Sequence, residues 1–174
     1  EAGVELAGQS FFAGSGNAGA SLTWEMPAFV DARKVKIQLL GRNNDNNGFL
    51  SLAEVQVSEY VPTPPNWCLA TNGGTASQSG TAYSGAASRA IDGNTNGNYN
   101  NNSVTHTTDA ANSWWQVDFG QNRPVNRIVL HNRDSNQGRL SNFRISMLDA
   151  AGVEVSGENF FTTSGSAADS FLSN

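Results

Sequence analysis

Three side chains in this 174-residue chain could do chemistry together: His106, Arg133 and Arg139. Arg133 stands 27 positions after His106 (133 − 106), and Arg139 stands 6 after Arg133 (139 − 133). A guanidinium offers N–H donors in a fixed fork, which suits the ring and hydroxyl oxygens of a neutral polyol. An imidazole donates from one nitrogen and accepts on the other. Such a set recognises rather than reacts. A catalytic site needs a nucleophile with its base, or paired carboxylates across a cleft. The chain contains no GxSxG, no HExxH and no phosphate loop. Asp109 and Asp118 flank a Trp-Trp segment, and Asp118 reads as a strand-end turn residue. The expectation is a binding protein and not an enzyme.

Two strands must carry these groups. SWWQVDF (113–119) and RIVLHN (127–132) place aromatic and β-branched residues in near alternation, the pattern of strands with one face in a core. GQNRPVN (120–126) reads as the turn between them, with Pro124 barred from a central strand. Trp114 and Trp115 must point to opposite faces, and both are taken as structural. His131 lies in a strand and reads as a packing or surface residue, with Arg144 the fallback for Arg139. Before the first strand runs DGNTNGNYNNNS (92–103), Asn and Gly with one aromatic, Tyr99. Such a loop cannot bury itself, so it needs an ion or a ligand to order it, or it stays mobile.

The remaining chain reads as all-β scaffold. Residues 1–12 alternate at Val4 and Leu6 before Phe11 and Phe12, LTWEMPAFV (22–30) is an edge or irregular strand, and 32–41 and 49–60 alternate cleanly. RNNDNNG (42–48) reads as a solvated loop and VPTPPNW as a stiff extended linker. No segment sustains helical periodicity.

Composition narrows the partners. Charged residues are 14% of the chain and the net charge is −5, which opposes nucleic acid and anionic membrane surfaces. One cysteine, Cys68, excludes an intrachain disulfide framework and reads as a small core residue. No apolar run reaches transmembrane length, and no charged, apolar leader opens the chain. The expectation is a secreted or surface protein of bacterial or phage origin, its signal removed or its module excised.

The stretch from Arg89 to Phe143 resembles the F-type lectin (fucolectin) family, a branch of the discoidin-like jelly-roll modules. The His106–Arg133 spacing matches that family's sugar motif. Arg133-Asp134-Ser135 and Arg139 match its second half, with one residue fewer in the loop and the Asp displaced by one. Many members stack the sugar on a vicinal cysteine pair, and here Asn136 and Gln137 occupy that place. The resemblance implies a site for terminal L-fucose on fucosylated glycans. His106, Arg133 and Arg139 would take the ring oxygen and the 3- and 4-hydroxyls. Tyr99 would pack on the 6-methyl, Tyr83 would add a wall, and Asn136 would line the floor. It also implies calcium, on Asp92, Asn94, Ser103 and Glu54, with carbonyls from Arg89, Asn94, Ser103 and Ala53. All-oxygen ligation with few carboxylates suits that ion. The rivals are a structural or adhesion discoidin module with a vestigial pocket, and a galactose-type binder without the methyl contact.

The order of the parts is unusual. LSLAEVQV is how bacterial modules of this kind end, and NWCLATNGGTASQS (66–79) is how they begin. GVELAGQSFFAGSGNAGAS (3–21) also resembles GVEVSGENFFTTSGSAADS (152–170), an offset of 149 (152 − 3). One reading is a window cut from a tandem array. The preferred reading is one circularly permuted jelly-roll sandwich of eight antiparallel strands. Residues 1–61 give its last strands, 62–65 a linker, 66–149 the part with the sugar site, and 150–174 a surplus copy of 1–25, either disordered or displacing 1–25 of a neighbouring molecule head-to-tail.

Overall fold

The computed structural model describes residues 11–16, 21–58, 66–165 and 170–172. The reading of strand character at Val4 and Leu6, and the linker at 62–65, lie outside them. The described residues form eight strands: β1 (Phe11–Gly16), β2 (Ser21–Leu39), β3 (Glu54–Ser58), β4 (Thr75–Gln78), β5 (Trp114–His131), β6 (Phe143–Leu148), β7 (Glu154–Gly165) and β8 (Ser170–Leu172). The fold is all-β, a curled, mainly antiparallel sheet consistent with a jelly-roll β-sandwich.

Two long bent strands organise it. β2 pairs antiparallel with β5 on both sides of a bend, with register shifts between Glu25 and Val30 and between Ala32 and Lys34. Beyond the bend, residues 34–39 of β2 lie between β5 and β6, and β5 itself is flanked there by β4. Before the bend, residues 21–25 of β2 lie between β5 and β8, and β3 flanks β5. Alternate residues from both wings meet in one core. Leu22 and Trp24 join Val35, Ile37, Leu39, Val55, Val57, Trp115, Val117, Ile128, Leu130, Phe143 and Ile145. Full burial of a side chain of this size stabilises by about 1.5–3 kcal/mol.

Several expectations are corrected. Residues 120–126 are not a turn, because β5 runs through them and Pro124 sits opposite Asp31. The bend in β2 matches the bend in β5 there, so the missing proline N–H costs no central ladder bond. Asp118 is likewise inside β5, held by Arg33 Nε at 2.9 Å and by the Gly120 amide at 2.8 Å. LTWEMPAFV and ARKVKIQL belong to a single strand with two register shifts, not to two strands. β3 spans only Glu54–Ser58, because the amides of Leu50 and Leu52 are taken by the hydroxyls of Thr107 and Thr105 at 2.9 Å each. Two contacts are also parallel, β1 with β7 and β2 with β8.

Candidate functional site

His106 is placed by its neighbours. Thr105 and Thr107 on either side bind the backbone of residues 50–52 through hydroxyls and amides, which pins the segment edge-on to the core. The imidazole is buried, with Nδ1 2.9 Å from the Thr107 carbonyl. A carbonyl only accepts, so Nδ1 carries the proton and Nε2 is left as the acceptor. Arg139 Nη1 fills that role as donor at 2.9 Å. Burial, together with Arg139 and Arg133, holds the imidazole below its usual range, and so neutral.

Three aromatic rings surround His106 edge-on: Phe49 at 4.7 Å, Tyr83 at 4.9 Å and Tyr99 at 5.9 Å between centroids. Tyr83 is 70% exposed and holds a positive φ of 50°, a costly conformation for a bulky residue. The Tyr99 hydroxyl donates to its carbonyl and fixes it there. Phe49 also lies under Arg139, 4.7 Å from the guanidinium carbon. Sequence reasoning missed Phe49. Its only signal was an aromatic after the Asn-rich loop 42–48.

That loop is not simply solvated. It folds around buried Asn43, whose amide nitrogen reaches Asn47 Oδ1 at 2.7 Å and the Phe49 carbonyl at 2.8 Å. It docks on the arginine loop through the Asn44 amide on Ser141 Oγ, 2.8 Å, and Asn142 Nδ2 on Asn44 Oδ1, 3.0 Å. Asp45 thereby acts electrostatically on both arginines. Asp109 is spent on the same junction, accepting from the Gly48 amide at 2.6 Å.

Arg133 is the deepest cation of the set, 5% exposed. Its Nη2 reaches Ser135 Oγ at 3.3 Å and its guanidinium carbon lies 5.5 Å from the Tyr99 ring. Its Nε and Nη1, and Nε of Arg139, are buried and have no hydrogen-bond partner. Burial and the neighbouring Arg139 hold the Arg133 guanidinium below the usual arginine range. Unpaired buried donors of this kind are costly and call for an acceptor. Asn136 is exposed and left-handed at φ 51°. Its carbonyl accepts from the Arg139 amide at 3.2 Å, so its documented part is to shape the turn. Arg144 is elsewhere, bound to Glu154 and to Asn159 on β7. Trp115 is fully buried, and half-buried Trp114 carries Lys36 Nζ 5.7 Å from its ring.

The Asn-rich loop orders itself. Asp92, Asn94, Asn96 and Asn98 each accept, through Oδ1, from the backbone N–H two residues on, at 2.8, 3.1, 2.8 and 3.0 Å. These successive side-chain turns give the backbone partners that an ion or ligand was expected to supply. Gly97 lets the loop rest on the arginine loop. The Asp134 amide donates to its carbonyl at 3.0 Å, and a Cβ there would come within 2.8 Å of that amide nitrogen.

Below this loop is a second set of groups. Glu54 is fully buried, and neither carboxylate oxygen has a hydrogen-bond partner. Burial pushes its carboxyl up to about 8, with Asp92 adding to the rise and the nearby Gly93 amide opposing it. A buried carboxyl beside a second acidic group, Asp92, fits a cation that takes the place of its proton. Among the described residues no cluster of three or more His, Cys, Asp or Glu side chains gathers, so neutral oxygens would complete the shell. Ser103 is buried with its hydroxyl on the Asn98 carbonyl at 2.9 Å. The Arg89 side chain is occupied by Val104 O and Asn102 Oδ1, each 3.1 Å, and the Ala53 amide by His131 O at 2.8 Å. The backbone carbonyls of Arg89 and Ala53 were the atoms expected to ligate. Among the described residues no helix is long and apolar enough to cross a membrane.

The family comparison falls on this half of the chain. Residues 89–170 match the family described as NedA-like, galactose-binding domain, a span that contains His106, Arg133 and Arg139. Fucolectin-4 of Anguilla japonica is 45% identical over 60 residues, 34% of this chain and 33% of its own. Fucolectin of Anguilla anguilla is 37% identical over 67 residues, 38% of this chain and 42% of its own. The match thus spans well under half the length of these curated relatives. No solved structure matches significantly. Residues 89–170, which include His106, Arg133 and Arg139, match the galactose-binding-like, F5/F8 type C domain, and the chain is similar to the fucolectins over about a third of its length.

Proposed function

We propose that the chain is a non-catalytic, extracellular lectin module whose pocket takes terminal L-fucose on glycans. The observation that carries this is the group of unpaired buried donors on Arg133 and Arg139 beside a neutral His106 ringed by aromatics. Two charged forks, with Arg139 held in place by the fixed imidazole, can take the ring oxygen and a vicinal hydroxyl pair, and Tyr99 supplies an aromatic surface for an apolar methyl. A sugar lacking one of those hydroxyls leaves a buried donor unpaired, which is the source of selectivity. The similarity to fucolectins supports the same reading. The galactose-binding description of the matching family favours a second one, a galactose-type sugar without the methyl contact.

We further propose that calcium binds at Glu54 and Asp92 with oxygens of Asn94, Ser103, Arg89 and Ala53. Its contribution is a buried positive charge that holds the Asn-rich loop over Glu54. The pairing of β2 and β3 with β5 supports a circularly permuted module, because residues 21–58 and 66–148 build one sheet. The test is calorimetric titration of L-fucose into wild type and His106→Ala, with calcium and then with chelator. Heat with wild type and none with the variant is expected. No heat from folded, calcium-loaded wild type removes the fucose reading.

A further inference from the structure

The two copies of the internal repeat lie side by side. β1 pairs parallel with β7, and each residue faces its own counterpart from Phe11 opposite Phe160 to Gly16 opposite Gly165, an offset of 149 throughout (160 − 11). β7 in turn is antiparallel to β6, with Phe143 opposite Phe160 and Ser146 opposite Gly157. The fold has one seat beside β6, and the chain carries two strands written for it.

The seat is demanding. A Cβ at Gly157 would come within 2.8 Å of the Ile145 carbonyl and 2.9 Å of Arg144 Nη2, so the position beside β6 requires glycine. Glu154 accepts from Arg144 and, at 2.6 Å, from Ser146 Oγ, and Asn159 Oδ1 accepts from Arg144 Nη1 at 2.9 Å. The first copy keeps each property. Gly8 corresponds to Gly157, Glu5 to Glu154 and Ser10, another side-chain acceptor, to Asn159. Gly3, Val4, Phe11 and Phe12 are identical to their counterparts. A strand needed only as an outer edge has no use for that glycine or that carboxylate.

We infer that the first copy is a donor strand for a second copy of this chain: residues 3–16 of one molecule take the seat beside β6 of the next, displacing its β7 and linking the molecules head to tail. Within its own chain β7 is tethered to β6 by the tight turn closed by Asp149 N to Val153 O at 2.9 Å, so β7 wins its own seat by proximity and leaves β1 spare. Among the described residues the spare strand pairs with β7 alone, in parallel, the weaker kind per residue. Exchange gives the first copy an antiparallel place beside β6 at the expense of the β7 it displaces, so the ladder there is conserved and the similar strands need no new surface. This inference stands apart from the sugar reading, since its tests read mass and covalent linkage.

Light scattering on the full chain over roughly two decades of concentration reads the exchange. The wild-type average mass rises by at least about a doubling, while Gly8→Val, which cannot fit the seat, stays a single chain. A wild type that remains a single chain throughout, or a Gly8→Val variant that assembles equally, overturns the inference. A second variant fixes the geometry. Ser10→Cys with Arg144→Cys puts two thiols opposite one another only when the first copy sits beside β6. Disulfide-linked multimers on a non-reducing gel are expected, and a bond within one chain, or none, overturns it.

Discussion

Arg139 Nη1 stands 2.9 Å from His106 Nε2, and the proton on His106 Nδ1 is directed at the Thr107 carbonyl. The histidine therefore accepts from the arginine, and the pair works only while the imidazole is neutral. Burial and two guanidiniums keep it so.

This sets a pH dependence. The folded pKa of His106 lies below its ordinary value of about 6.5, so the unfolded chain protonates first. The stabilisation is complete above about pH 6.5 and is lost as pH falls through the folded value. Sugar affinity measured by calorimetry is expected to be flat from neutral pH down to that value and then to fall. His106→Gln should remove the acid limb. An affinity that begins to fall above pH 6.5 counts against the neutral pair.

Arg133 should tolerate no substitution. Arg133→Lys keeps the charge and loses the fork, and one charged hydrogen bond is worth about 1.5–3 kcal/mol, so affinity is expected to drop roughly tenfold or more. The thermal midpoint should stay the same or rise, because donors that have no partner in the free protein are removed. Unchanged affinity would place the sugar elsewhere.

The proposed calcium site would link the ion to a proton on Glu54. A carboxyl pushed up to about 8 must lose that proton to bind the cation, so calcium affinity should climb about tenfold per pH unit up to that value and then level off. Calcium should raise the thermal midpoint of wild type and leave Glu54→Gln unmoved. A midpoint indifferent to calcium across this range rejects the site.

Tyr99 anchors Tyr83 and, in the proposed pocket, packs on the sugar methyl, and substitution separates the two. Tyr99→Phe keeps the ring and loses the hydroxyl that anchors Tyr83 in its left-handed conformation. It should lower affinity for fucose and galactose alike. Tyr99→Ala should cost fucose much more than galactose. Equal losses with Ala favour the galactose-type reading.

Gly97→Ala tests the docking of the Asn-rich loop on the arginine loop. The added Cβ crowds the backbone of residues 132–134. Weaker sugar binding with a nearly unchanged thermal midpoint is expected, since loop 94–98 is exposed or half-exposed.

The sequence by itself determined the strands of the core, because alternation of apolar residues at period two leaves one face to bury, as at Val35, Ile37 and Leu39 or Trp115 and Val117. Residue type and spacing also singled out His106, Arg133 and Arg139, and the fold sets Arg139 against His106 with Arg133 acting on it electrostatically. The sequence could not reveal Phe49 or the loop 42–48, which reach the site only when β2 and β3 pair with β5, strands separated by about half the chain. Nor could it reveal that 120–126 is a bend in one strand. Proline and glycine read as a turn locally, and only the matching bulge of β2 across the ladder makes them a crossing between the two wings of the sheet. Side-chain turns from Asp92 to Asn98 were hidden for a related reason. An Asn-rich run is mobile or ordered according to what it rests on, and the arginine loop beneath Gly97 is supplied by tertiary structure alone.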